Sequence, residues 1–160
     1  MKQKIFLSVL AIGFFMLSAN AQQEKALVVS AGQFKNISIA DDMKVILTQA
    51  PPSAANVSID KEASDKLRLT LSEGSLNISA TKQIRRDYVV YVLVNDLQKL
   101  TLGENIDLQT NGILNTSKLD VFVHAGSKAH LKTNGKIEAY ALDDQEVSLK
   151  RVAGPLVAIN

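Results

Sequence analysis

The sequence predicts an all-β chain whose short strands wind into a coil, and three observations predict it. From Phe34 onward apolar residues recur with a period of two: "FKNISI", "VSI", "LRLTL", "LNIS", "YVVYVLV", "LTL", "IDL", "LDVFV", "AHL", "IEA" and "VSL" are strand patterns rather than helical ones. Gly, Asn, Asp, Ser and Pro separate these runs and supply turns. The second half also repeats itself. "DLQTNGIL", Asp107 to Leu114, is echoed further on by "HLKTNGKI", His130 to Ile137.

The elements follow in chain order. Lys2 and Lys4 precede an apolar run from Ile5 to Leu17, and "SANA" at 18–21 closes it with small residues. That is the pattern of a secretory signal peptide cut after Ala21. The run is shorter than the ~20 residues that span a bilayer, which weighs against an uncleaved anchor. Residues 22–33 read as a tether or a first edge strand, and 34–160 as a single β-domain. "APPS", Ala50 to Ser53, breaks the chain between two strands. "DKEASDK", Asp60 to Lys66, is the one credible helical turn, with Asp60 as its N-cap.

The repeat is the basis of the coil. Leu97, Leu119 and Leu142 recur at nearly equal intervals, each opening a strand, and Leu108 and Leu131 close the strand that follows. An even spacing of strands and tight corners is expected of stacked coils. This register places Leu108 beside Leu131, Leu119 beside Leu142, and Asn111 over Asn134 in a ladder. Gly112 and Gly135 would supply positive φ at the corners. The third pass, "LDDQEVSLKRVAG", is abbreviated. An antiparallel β-sandwich whose turns happen to match is the alternative. After Gly154-Pro155, the strand-forming Leu156, Val157, Ala158 and Ile159 should be ordered. They would cap their own coil or pair with the same strand of a second molecule, giving a homo-oligomer.

Composition restricts the chemistry. There are 18 basic and 16 acidic residues, and loss of Lys2 and Lys4 with the signal leaves a formally neutral chain. No basic field points to nucleic acid; Lys82, Arg85 and Arg86 read as a solvated loop. No later segment is apolar enough to be a transmembrane helix. The chain has no Cys, which removes thiol nucleophiles and thiolate metal sites, and fits a bacterial envelope protein better than a disulfide-stapled secreted domain. His124 and His130 lack an evident third ligand for a metal. Asp41-Asp42 and Asp143-Asp144 are carboxylate pairs of the type that glycoside cleavage needs, yet they fall where turns are expected and adjacent strand residues face opposite ways. Without Trp, sugar stacking would rest on Phe34, Tyr88, Tyr91, Phe122 or Tyr140, and Tyr88 and Tyr91 lie on opposite faces of one strand. The residues therefore assign no catalytic, cofactor or metal site. They leave a non-catalytic interaction module, with a carbohydrate-binding module as the alternative and a glycoside-active enzyme as a remote one.

Three segments resemble the head GIN domain of auto-transporter adhesins from bacterial envelopes. They are "FKNISIADDMKVILTQ", "VSIDKEASDKLRLTLSEGSLNI" and "VVYVLVNDLQKLTLGENIDLQTNG", within a match from about Phe34 to Gly154. That family usually closes a strand with Pro before the Leu, where Asp96 precedes Leu97 here. Its corners are often Gly-rich, where this chain has "GEN" at 103–105 and "AGS" at 125–127. The resemblance implies a short right-handed parallel β-helix with N-terminal strands packed against it. It also implies a periplasmic or surface location in a Gram-negative bacterium, and an envelope protein or surface glycan as partner. No catalytic residues come with it.

The mature protein is expected to begin at Gln22. The intact mass of the exported protein checks this, and retention of Ile5 to Leu17 would overturn the export reading.

Overall fold

A computed structural model describes residues 27–30, 33–51, 54–59, 63–83, 88–143, 148–151 and 156–158. The signal segment, Asp60, Arg85, Arg86, Asp144 and Ile159 lie outside the described residues. The strands are β1 (Leu27–Ser30), β2 (Asn36–Ile39), β3 (Lys44–Gln49), β4 (Asn56–Ile59), β5 (Leu67–Ser72), β6 (Ser75–Ala80) and β7 (Val89–Val94). They continue with β8 (Lys99–Leu102), β9 (Asp107–Asn111), β10 (Lys118–Val123), β11 (Lys128–Leu131), β12 (Lys136–Ala141), β13 (Ser148–Arg151) and β14 (Leu156–Ala158). A 3₁₀ turn, Ser64–Lys66, stands at the predicted helical turn. Ala63 occupies its N-cap position and no side chain caps it.

The fold is all-β, with two sheets that are mixed and mostly parallel. One has the order β1-β4-β7-β3-β9-β11-β13, the other β14-β12-β10-β8-β2-β6-β5; they are called sheet A and sheet B below. From β8 to β14 the chain alternates between the sheets, and each strand pairs in parallel with the strand two later. Among the described residues antiparallel pairing is confined to β1–β4, β4–β7 and the β5–β6 hairpin. Each sheet turns its alternate apolar residues inward. Ile37, Leu100, Val121 and Ile137 of sheet B face Val45, Leu47, Val92 and Leu108 of sheet A within one continuous core. This is period-two patterning with one face of each strand buried.

The register corrects the sequence expectation. Leu119 pairs with Ile137 and not with Leu142. Leu142 follows β12 and is 45% exposed. Leu108 pairs with Ala129 rather than Leu131. Asn111 lies in register with Thr48 of β3, while Asn134 donates from Nδ2 to Asn115 Oδ1 at 2.9 Å, so the expected Asn111–Asn134 ladder is not formed. The interval between paired residues varies because loops of different length separate strands that must still align in the hydrogen-bond ladder.

The glycines of the two Thr-Asn-Gly copies also differ. Gly112 has φ 86 as expected, whereas Gly135 is not among the positive-φ residues. A Cβ at Gly135 would run into the Thr116 and Ser117 carbonyls, so close packing excludes a side chain there. Asp96 stands at φ 54, a conformation that Pro, locked at about −65°, cannot adopt.

Buried polar side chains tie the corners together. Ser127, 5% exposed, donates from Oγ to Gly103 O at 2.5 Å and accepts from Ile106 N–H at 2.8 Å. Asn105 N–H donates to Ala125 O at 3.3 Å, so the "GEN" and "AGS" corners stack on each other. Thr116 Oγ1 lies 2.8 Å from Leu97 O and 2.9 Å from Lys118 O.

The outer face of sheet B carries an ion-pair network. Glu138 accepts from Lys136 at 2.6 Å, from Lys118 at 2.8 Å and from the Tyr140 hydroxyl at 3.0 Å. Lys118 also reaches Asp120 at 3.1 Å. The Lys118 ammonium, then Lys136 and Tyr140, hold the Glu138 carboxyl down at about 2, from an ordinary 4.5. Lys118 and Tyr140 are raised in turn, chiefly by their hydrogen bonds to Glu138.

This packing sets the cost of substitutions. Ile137→Ala should cost about 2–5 kcal/mol in denaturant melts, and Ser127→Ala about 1–3 kcal/mol through the Ile106 amide it orphans. Leu142→Ala should stay within about 0.5 kcal/mol. The depressed Glu138 group stabilises the fold above its unfolded value, and that contribution is lost as pH falls from about 4.5 towards about 2. The melting-temperature gap between the native chain and Glu138→Gln should therefore narrow over that window.

Candidate functional site

One row of corners brings together Asp41, Asp42, Lys82, His124 and Asp143, five of the residues that sequence reasoning weighs for chemistry. Ala40 N–H donates to Ile78 O, Gly103 N–H to Ile39 O, His124 N–H to Leu102 O and Leu142 N–H to Val123 O, all at 2.8–3.0 Å. The parallel ladder thus continues past the strand ends into the corners. A cleft of about 710 Å³ opens along this row, lined in part by Asp41, Asp42, Lys82, Glu104, Asn105 and His124. Asp41 and Asn105 hold left-handed backbone conformations, at φ 72 and 58, which their short polar side chains tolerate.

Two carboxylates of this row accept backbone amides. Asp41 Oδ2 accepts the Ala80 amide at 3.0 Å, and Asp143 Oδ2 accepts the Ala125 amide at 2.9 Å. The first Asp of each sequence pair thus accepts a backbone amide of a neighbouring turn, Asp41 that of Ala80 at the end of β6 and Asp143 that of Ala125 in a corner. His124 Nδ1 lies 3.2 Å from the same Asp143 oxygen. The Ala125 amide, then His124, lower the Asp143 carboxyl below its usual range. The two histidines are not brought together. His124 follows β10 of sheet B, whereas His130 sits in β11 of sheet A, exposed and in register with Gln109. Among the described residues no three of His, Asp and Glu are grouped to hold a metal ion. None of their helices is long and apolar enough to cross a membrane.

The aromatic residues separate into core, covered and open. Phe34 is core. Tyr88 packs against the core with Lys66 Nζ 5.4 Å from its ring. Phe122 and Tyr140 stack at 4.7 Å and 12°, and Lys99 Nζ lies 4.7 Å from the Phe122 centroid, so protein groups already use these ring faces. Tyr91 remains, 48% exposed on the outer face of sheet A. Its cross-strand neighbours are Ser58 of β4 and Ile46 of β3, and the row runs on through Gln109 to His130. Alternation places Tyr88 and Tyr91 on opposite faces but cannot say which is buried; the neighbouring sheet decides that.

Residues 33–154 match the family model described as "Putative auto-transporter adhesin, head GIN domain". Among solved structures, the fold is similar to that of a putative adhesin from Bacteroides fragilis, with TM-score 0.60 and 13% identity over 83% of this chain and 72% of that one. A putative adhesin from Parabacteroides merdae gives TM-score 0.55 and 13% identity over 79% of this chain and 51% of that one. One from Parabacteroides distasonis gives 0.52 and 15% over 78% and 64%; the chain thus spans about half to two thirds of these two proteins. No curated protein matches. At such identities the solved structures speak for the fold, and the family match covers most of the sequence. The chain belongs to the family of that model, the head GIN domain family.

Proposed function

We propose that the chain is an exported, non-catalytic interaction module of a Gram-negative envelope, in the periplasm or on the cell surface. Its strands wind as a short right-handed parallel β-helix, and it contacts its partner through the outer face of sheet A around Tyr91. The observation that carries this reading is the half-exposed Tyr91 ring on a strand paired on both sides. A rigid aromatic anchor on a flat, preorganised face is what a binding hot spot requires. Strands that alternate between two sheets, each parallel to the strand two later, support the coil. Capping by Asp41 and Asp143 supports a structural rather than a catalytic use of the paired acids.

Ser58 beside Tyr91 and Gln109 two strands away in the same row favour carbohydrate as a second reading, since a sugar stacks on an aromatic face while side-chain amides and hydroxyls take its hydroxyl groups. The labelled exported protein, applied to envelopes of its own bacterium and to an immobilised glycan panel, separates the two. Tyr91→Ala should weaken retention by roughly tenfold or more on whichever surface binds, and Leu142→Ala should leave it unchanged. Undiminished binding by Tyr91→Ala would remove sheet A as the contact face, and release of new reducing ends from a polysaccharide would overturn the non-catalytic reading.

A further inference from the structure

The two Thr-Asn-Gly copies are chemically alike and physically unlike. Asn134 is clamped. Its Oδ1 accepts the Thr116 amide at 3.0 Å, its Nδ2 donates to Asn115 Oδ1 at 2.9 Å, and its own N–H donates to Leu114 O at 3.2 Å. The glycine that follows is pressed against the Thr116 and Ser117 carbonyls. Asn111 is exposed at the last position of β9, and among the described residues its side chain has no hydrogen-bonding or ionic partner. Gly112 stands in open space, with nothing within 4 Å of where a Cβ would be, at φ 86.

We propose that Asn111 is a site of spontaneous modification, converted to aspartate and isoaspartate through cyclisation onto Gly112, and that Asn134 is protected from the same reaction. The Gly112 nitrogen loses its proton to solvent base and forms a bond to Asn111 Cγ. The Cγ–Nδ2 bond breaks and Nδ2 leaves as ammonia, so that a five-membered imide joins the two residues. Water then opens the imide. Cleavage between the Gly112 nitrogen and Cγ gives aspartate; cleavage between that nitrogen and the Asn111 main-chain carbonyl carbon gives isoaspartate. No oxidant or reductant takes part, and water is the only co-reactant.

The step needs two freedoms. The side-chain amide must swing back over its own main chain, and the following nitrogen must be approachable, which a residue without Cβ permits. Asn111 and Gly112 have both, because the peptide between them lies beyond the last residue that β9 pairs with β3. At Asn134 two side-chain hydrogen bonds must open first, and the glycine that follows lies against the Thr116 and Ser117 carbonyls. Each conversion at Asn111 replaces a neutral amide with a carboxylate. Isoaspartate also lengthens the main chain just before Leu114, which bridges to Thr133.

The test is a time course of the purified full chain, folded, at mildly alkaline pH, followed by peptide mapping that separates aspartate from isoaspartate. The same chain in denaturant is the reference. Asn111 should convert roughly tenfold or more faster than Asn134 in the folded protein, since two hydrogen bonds hold the latter, and the two rates should become comparable in denaturant. Equal rates in the folded protein, faster conversion at Asn134, or conversion of Asn111 only in denaturant would each overturn the proposal. Asn115→Ala removes the acceptor of Asn134 Nδ2 and should speed conversion at Asn134 several-fold. An unchanged rate there would overturn the clamp as the cause.

Discussion

The structure depends on carrying backbone hydrogen bonds around corners. A chain that alternates between two sheets leaves a peptide amide or carbonyl exposed at every bend, where no strand stands opposite it. Here the bends stack, so that Gly103, His124 and Leu142 each donate to the last strand residue of the neighbouring turn. Where stacking leaves an amide over, a side chain takes it: Asp41 for Ala80, Asp143 for Ala125, Ser127 for Ile106 and Asn134 for Thr116. An orphaned buried amide costs about 1–3 kcal/mol, comparable with a core methylene or two, and the Ile106 amide held by Ser127 is the buried one of these four.

That constraint shapes the surface available for binding. Asp41, Asp143 and His124 contact neighbouring turns of the chain. The face of sheet B is occupied by the Glu138 network and the Phe122–Tyr140 stack. Sheet A keeps an open tyrosine, on a strand held by β4 on one side and β3 on the other. A face fixed in this way presents its side chains without paying for their ordering when a partner arrives.

The strands were legible in the sequence because burial of one face imposes a period of two, and each alternating run from "FKNISI" to "VSL" coincides with a strand. Register was not legible. Leu108 of β9 meets Ala129, Leu119 of β10 meets Ile137, and Ala129 of β11 meets Leu149. These steps are unequal, and each is shorter than the spacing of the repeated tripeptide. A visible motif marked a corner in both cases, but one glycine serves conformation and the other serves close packing. Leu142 followed the leucine spacing and still lies on the surface, since a leucine just past a strand end need not enter the core. The candidate site was half legible. Asp pairs and histidines could be named, but their partners lie in other turns, and only the fold shows that Asp143 holds Ala125 or that Tyr91, not Tyr88, faces outward.

Residue-resolved amide hydrogen exchange of the folded chain tests the corner ladder most directly. The amides of Ile106, Thr116 and Ala125, all outside the strands, are predicted to exchange as slowly as those of strand-centre residues such as Val121, because side-chain oxygens hold them within the same cooperative unit. Exchange of these three amides at the rate of unprotected loops, while Val121 stays protected, would contradict the account.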